Sequence, residues 1–346
     1  MRGPAPLQRS ATGLKFPGFS NGKKMKRIVS FLLKIAVSGF LLYISLNFVD
    51  FGALMQRLSR IDWAWLAASL AVLALQVGLV AQRWRLIARP CGAEIHLRQA
   101  LSYTLIGLFF NQALPSTVGG DAARIWLLAR EPSGWKAAIH SVLIDRAAGL
   151  IWLTFIVLVC LPWSLEYIKS PIGQTMLVLI GVGGVAGPIS ALILIQAGRP
   201  WLAGWRVTRH LVEVAATTWT VLSSWRIGCA VAGLSIMVHL LTVMAAWCVA
   251  QAVGSPAKLM DILLLIPPVV LVSAIPVSIA GWGVREGAMV AAFSYAGLPE
   301  VDGLTVSLLL GACIFLIGLL GGLAWIFGSN RLTLGPWPMR QDSPSP

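Results

Sequence analysis

Six ionisable side chains stand where otherwise apolar sequence is broken or begins. Asp121 and Arg124 follow Pro115 and the pair Gly119 and Gly120, and Arg285 and Glu286 follow Pro276, Gly281 and Gly283. Asp145 and Arg146 stand early in the apolar run 140–162. An ionisable group at membrane depth is costly unless it is paired or hydrated, so such groups mark function by default. A guanidinium offers a planar fork of donors that matches a phosphate. Helix N-termini freed at the breaks bring partial positive charge towards the same anion. The chemistry these residues suit is therefore recognition of a phosphate group. Salt bridges within Asp121–Arg124 and Arg285–Glu286, bracing the broken segments, explain the same spacing equally well. Asp145 and Arg146 lie close to the expected interface and lean towards a structural pair.

No constellation for covalent chemistry accompanies them. The four histidines (His96, His140, His210 and His239) are scattered, and the sequence contains no HExxH, P-loop lysine or GxSxG pattern. The five cysteines (Cys91, Cys160, Cys229, Cys248 and Cys313) form no CxxC, and four of them lie inside apolar runs. They suit small core positions better than a disulfide framework or a metal site. No catalytic residue, metal or cofactor is expected.

The elements that must position the charges are membrane helices. Of 346 residues 57% are hydrophobic and 12% charged, about half the usual soluble share. Mean hydropathy is +0.80. Those values exclude a soluble domain and disorder for most of the chain. Runs long enough for a bilayer of about 30 Å lie at 28–48, 64–82, 140–162, 174–196, 227–251 and 304–327. Two further apolar regions are broken: 100–128 at Pro115 and Gly119–Gly120, and 259–298 at Pro267–Pro268, Pro276 and Gly281–Gly283. Backbone freed at such breaks survives only where protein or a water-filled cavity covers it. A Gly run at Gly181, Gly183, Gly184 and Gly187 suits close helix packing.

If each broken region enters and leaves on one side, twenty of the 27 Lys and Arg fall on one face and four on the other. That asymmetry puts both termini in the cytoplasm and assigns the net charge of +14 to orientation in the cell membrane, with no nucleic-acid partner. Eight full crossings would keep the same termini. Residues 1–27 are expected to form a disordered basic tail, with Met25 a second possible start, and 329–346 a short cytoplasmic tail. Residues 200–225 place Trp201, Trp205, Val212, Ala216 and Trp219 on one stripe, as in an interfacial amphipathic helix.

The breaks repeat. Ala113-Leu114-Pro115-Ser116-Thr117-Val118-Gly119-Gly120 is followed by Arg124, and Ala274-Ile275-Pro276-Val277-Ser278-Ile279-Ala280-Gly281 by Arg285, at a constant offset of 161. The same offset carries 64–82 to 225–243, overlapping 227–251, and 140–162 to 301–323, overlapping 304–327. Two membrane repeats, 28–162 and 163–328, each hold three spans and one hairpin. Three is odd, so the second repeat is inverted, a plan in which broken helices meet near the midplane at a substrate site. The expected fold is all-α and polytopic, with six full spans and two re-entrant hairpins.

Arg83-Trp84-Arg85-Leu86, NQALPSTVGGDAARIWLLAR (111–130), SVLIDRAAGL (141–150) and PVSIAGWGVREGAM (276–289) together resemble the lysylphosphatidylglycerol synthase transmembrane-region family. This family is also described as flippase-like, and it includes the membrane half of the multiple peptide resistance factor. The resemblance runs from about 28 to 328. It implies translocation between leaflets of an anionic or aminoacylated phospholipid or a polyprenyl-phosphate-linked lipid. The alternative it implies is a membrane subunit for a separate lipid-modifying glycosyltransferase or aminoacyltransferase. The family's synthases carry a large soluble transferase domain, whereas about 19 residues follow the last span here. Aminoacyl transfer by this chain alone is not expected. The orientation predicts that cysteines placed at Ser59 and Gly303 react with a membrane-impermeant reagent added outside intact cells. Reaction only after the cytoplasmic face is opened would reverse the topology.

Overall fold

The computed structural model describes residues 51–113, 118–197, 214, 216–221, 223–275 and 282–327. Among them are ten α-helices and no strand: α1 (Phe51–Ser59), α2 (Trp63–Ala88), α3 (Leu97–Ala113), α4 (Gly119–Ala129), α5 (Gly134–Tyr167), α6 (Pro171–Ala197), α7 (Trp225–Ala252), α8 (Leu259–Ser273), α9 (Val284–Tyr295) and α10 (Glu300–Phe327). A 3₁₀ turn, Arg89–Cys91, closes α2. The tail 1–27, the span 28–48, Pro115, Pro276, Gly281, most of the interfacial segment 200–225 and the tail 329–346 lie outside the described residues.

Length and composition make the helices at Trp63–Cys91, Gly134–Tyr167, Trp225–Ala252 and Glu300–Phe327 capable of crossing a membrane. α6 occupies the position of the expected run 174–196. The chain is a multi-pass membrane protein, all-helical among the described residues. Helix starts follow local chemistry. The Asp62 carboxylate accepts from the Ala64 N–H at 2.9 Å and begins α2, and Asp261 accepts from the Lys258 N–H at 2.8 Å and begins α8.

The helix order repeats. A long helix, two shorter helices in tandem and another long helix form α2–α3–α4–α5, and the same series returns as α7–α8–α9–α10. The two leading helices pack together and run antiparallel. The Asp62 N–H donates to the Ala252 carbonyl at 2.9 Å and Ser69 Oγ to the Ala245 carbonyl at 3.0 Å. Gln76 Nε2 donates to the Val238 carbonyl at 2.9 Å and to Thr242 Oγ1 at 2.6 Å. Rising numbers on α2 meet falling numbers on α7. Gln76 displaced by 161 is Met237, next to its own partner Val238, so the two helices cross at equivalent points. Packing is also exchanged between the halves: α3 lies against α10, and α8 lies against α5.

α3 and α4 fold back on one another. A Cβ on Gly120 would strike the Gly107 carbonyl and the Asn111 side chain, while Tyr103 Oη donates to Glu131 Oε1 at 2.8 Å further along the pair. The Gly120 N–H donates to Asn111 Oδ1 at 2.7 Å. Only glycine permits this approach, and it lets the hairpin close without a layer of side chains. α8 and α9 pack against each other in the corresponding way.

Four expectations change. α8 runs through Pro267 and Pro268, so these prolines do not interrupt the second region. They remove two backbone donors, but both are buried among neighbouring helices, where a membrane helix tolerates the loss. Asp145 is not at a helix end, because α5 begins at Gly134, eleven residues earlier and about 16 Å away at ~1.5 Å per residue. Gly303 is not in a loop: it is buried in the first turn of α10, and a side chain there would meet the Met289 carbonyl and the Phe293 ring. The labelling position for that face is therefore better moved to the exposed Lys169. The Gly run on α6 also divides. Gly184 lies against Thr154 and Leu271 and Gly181 lies near Leu158, whereas Gly183 and Gly187 face open space.

The contact of α10 with α3 depends on Gly321, whose Cβ would collide with the Leu105 carbonyl. Gly321→Ala is expected to destabilise the protein by about 1–3 kcal/mol through overpacking, while Gly183→Ala, whose methyl meets open space, is expected to leave stability equal or slightly higher. Thermal unfolding of the two variants in detergent, read against wild type, checks this. Equal melting temperatures would refute it.

Candidate functional site

Between the first hairpin and helices α2, α5, α7 and α8 lies a cavity of about 270 Å³. Asn111 near the end of α3 and Ala274 just beyond α8 both border it, so the two broken regions approach the same space. Its charged lining is Arg83 from α2, Asp121 and Arg124 from α4, and Asp145 and Arg146 from α5.

Asp145 is the centre of the charge network. Arg83 Nε donates to its Oδ1 at 2.8 Å, and Arg124 Nη2 donates to its Oδ2 at 3.1 Å. The carboxylate is 2% exposed, and both arginines are below a tenth. Arg83 also donates through Nη1 to Ser235 Oγ on α7 at 3.1 Å. Asp121 pairs with Arg146, whose Nε lies 2.5 Å from Asp121 Oδ2. Arg124 lies 3.8 Å from Asp121, at the edge of an ion pair. The partners are thus exchanged relative to the i,i+3 salt bridge the sequence allows: each charge on α4 reaches across to α5. The Arg124 guanidinium also stacks over the fully buried Trp84 at 4.1 Å from the ring centroid. The Trp84 indole N–H donates to Ser141 Oγ at 3.3 Å.

One donor of the network is enclosed and unused. Arg124 Nε is buried and has no hydrogen-bond partner, while each lining carboxylate faces at least one guanidinium. The buried Arg83 and Arg124 are matched by the buried Asp145 and Asp121, and the third arginine of the lining, Arg146, is half-exposed. Three guanidiniums around one cavity offer the planar donors that suit an anion. Among the described residues no group of three His, Cys, Asp or Glu is placed to hold a metal.

The second pair of candidates is held elsewhere. Arg285 Nη2 donates to Glu286 Oε1 at 2.7 Å, and its Nε to Ser307 Oγ on α10 at 3.0 Å. Ser307 Oγ donates to Glu286 Oε1 at 2.9 Å, and Glu286 Oε2 accepts the Gly283 N–H at 2.6 Å where α9 begins. Neither Arg285 nor Glu286 lines the cavity. Of the sequence candidates, Gly120, Asp121, Arg124, Asp145 and Arg146 come together, whereas Arg285, Glu286 and Gly283 form a separate knot.

Arg83 is the important residue that the sequence did not single out as a site. It directly follows the apolar run 64–82, where hydropathy alone marks it as a loop charge. α2 continues to Ala88 and carries it inside. The signal available was the Arg-Trp-Arg spacing, which separates a buried Arg83 from Arg85 two positions on.

Asp145→Asn would leave two buried guanidiniums facing a neutral amide. Removing one partner of a buried ion pair costs about 3–5 kcal/mol, so a large fall in melting temperature is expected for purified protein. Arg146 has a side chain 45% exposed, and pairs of that exposure contribute about 0–1 kcal/mol. Arg146→Gln should therefore shift the melting temperature far less. Equal shifts would show that Asp145 does not hold the network.

Comparison with curated proteins finds no match. The family model described as lysylphosphatidylglycerol synthase TM region matches residues 31–322, which include every helix around the cavity. The chain belongs to the lysylphosphatidylglycerol synthase TM region family.

Proposed function

We propose that this protein is a lipid translocator that takes an anionic headgroup into the cavity beside Arg124 and passes it between leaflets. The observation that carries the proposal is the buried Arg83–Asp145–Arg124 network at a cavity whose lining brings three arginines together. Family membership supports a membrane role connected with lipids.

The cavity volume corresponds to roughly nine waters at ~30 Å³ each. That is room for a headgroup and not for acyl chains, which would remain in the bilayer. In the proposed layout α3–α4 and α8–α9 are re-entrant hairpins from opposite faces, and the six long segments cross. The termini are cytoplasmic, and the repeats divide at about residue 162. The antiparallel crossing of α2 and α7 at equivalent positions supports this inversion. Movement of the charged head through such a groove would need the hairpins to shift, and the ion pairs from α4 to α5 are the contacts that such a shift must exchange.

Arg124→Lys retains the charge but loses the fork that binds Asp145 and an anion together. The expected result is a fall of about tenfold or more in transbilayer movement of headgroup-labelled phosphatidylglycerol in proteoliposomes, corresponding to about 1.4 kcal/mol. Wild-type rates in a correctly folded Lys variant, or no movement by wild type above empty liposomes, would reject the proposal.

A further inference from the structure

The headgroup can be specified further, on the basis of the translocator function proposed above, from a side chain that the ion pairs leave out. His239 stands on α7, one turn beyond Ser235, and lines the cavity. Its Nε2 lies 3.0 Å from the Gly149 carbonyl on α5. A carbonyl oxygen only accepts, so Nε2 carries the hydrogen and donates it. The other ring nitrogen, Nδ1, makes no hydrogen bond among the described residues, and unlike Arg124 Nε it is not enclosed. In the neutral ring Nδ1 is an acceptor. Both oxygens of Asp145 accept from arginines, Asp121 accepts from Arg146, and Asn111 Oδ1 accepts the Gly120 N–H. Nδ1 accepts from nothing in the protein.

The donor that suits it is a hydroxyl. Arg83 donates to Ser235 Oγ at 3.1 Å on the same face of α7, and its guanidinium lies against Gly149, 3.5 Å from where a Cβ would stand. An ammonium brought to Nδ1 would set a second cation beside that guanidinium at membrane depth, and a hydroxyl adds no charge. The histidine is also particular to its half. Displaced by 161 it becomes Gly78 on α2, where a Cβ would meet open space, so the repeat requires no side chain at this point. We infer that His239 reads a hydroxyl of the headgroup, so that the cavity favours an anionic lipid with a polyol head over one of equal charge whose head has no hydroxyl. The arginines take the phosphate and Nδ1 takes the hydroxyl beyond it, around one cavity.

The test uses the full chain in nanodiscs of phosphatidylcholine, titrated with short-chain phosphatidylglycerol, short-chain phosphatidylmethanol and glycerophosphoglycerol. The two added lipids carry the same single negative charge and differ in the hydroxyls. Phosphatidylglycerol is expected to bind about fivefold tighter than phosphatidylmethanol, the scale of one net hydrogen bond, and glycerophosphoglycerol more weakly than the lipid. His239→Phe keeps a ring but no acceptor and should bring the ratio of the two lipids close to one. His239→Gln, whose amide both donates and accepts, should give a ratio above that of the Phe variant. Equal binding of the two lipids by wild type, or no binding of either, overturns the inference. So does a folded His239→Phe protein that binds both lipids less tightly by the same factor, because that is the mark of a purely structural contact with Gly149. Glycerophosphoglycerol binding as tightly as the lipid overturns it too, by assigning the site to a soluble phosphodiester. If His239→Phe does not fold, the wild-type ratio decides. Selective binding without transbilayer movement in proteoliposomes would reject translocation and leave the inference standing. Movement of both lipids with equal affinity would do the reverse.

Discussion

A single carboxylate held between two guanidiniums ties the first half of this molecule together. Asp145 lies deep within α5 and accepts from Arg83 on α2 and Arg124 on α4. In a low-dielectric setting none of the three could remain charged alone, and none can be removed without stranding the others. The position of the first hairpin relative to two long helices is therefore set by electrostatics as well as packing. Arg83 extends the connection to Ser235 on α7 and so links the two halves. Trp84 closes the arrangement from beneath by stacking on Arg124.

Packing around this network relies on small residues, as expected where lipid offers no hydrophobic drive for helices to associate. Gly107 against Gly120 closes the hairpin, and Gly321 lets α10 reach the α3 backbone. Because α3 packs on α10 and α8 on α5, neither half is complete alone. The exchange also gives the cavity its composite wall, with α7 and α8 facing the charges of the first half.

The two halves share a plan and differ in chemistry. Arg124 and Arg285 occupy equivalent positions after the breaks, and each reaches the long helix that follows its hairpin. Position by position, however, Asp121 corresponds to Trp282, Asp145 to Val306 and Arg146 to Ser307. The second arginine therefore turns to its neighbour Glu286, which also caps α9. Its charge is balanced by that neighbour, and its Nε reaches Ser307 on α10. A repeat in sequence thus became a polar site in one half and a brace in the other.

The sequence alone determined the membrane class, the positions of the long helices among the described residues, the two breaks and the offset that relates them. These properties follow from local composition: apolar run length, Gly and Pro placement, and the period of the repeat. It also supplied Asp121, Arg124, Asp145 and Arg146, since charges in apolar runs are conspicuous. It did not reveal who pairs with whom. The i,i+3 spacing of Asp121 and Arg124 favours a local bridge, but the hairpin's approach to α5 offers each a partner with better geometry. Arg83 was hidden because hydropathy ends α2 too early, and only its burial against Asp145 shows that the helix continues. Continuity of α8 through Pro267 and Pro268 was decided likewise by the neighbours that bury it. Pairing, depth and continuity depend on which helices touch, and that is a property of the tertiary structure.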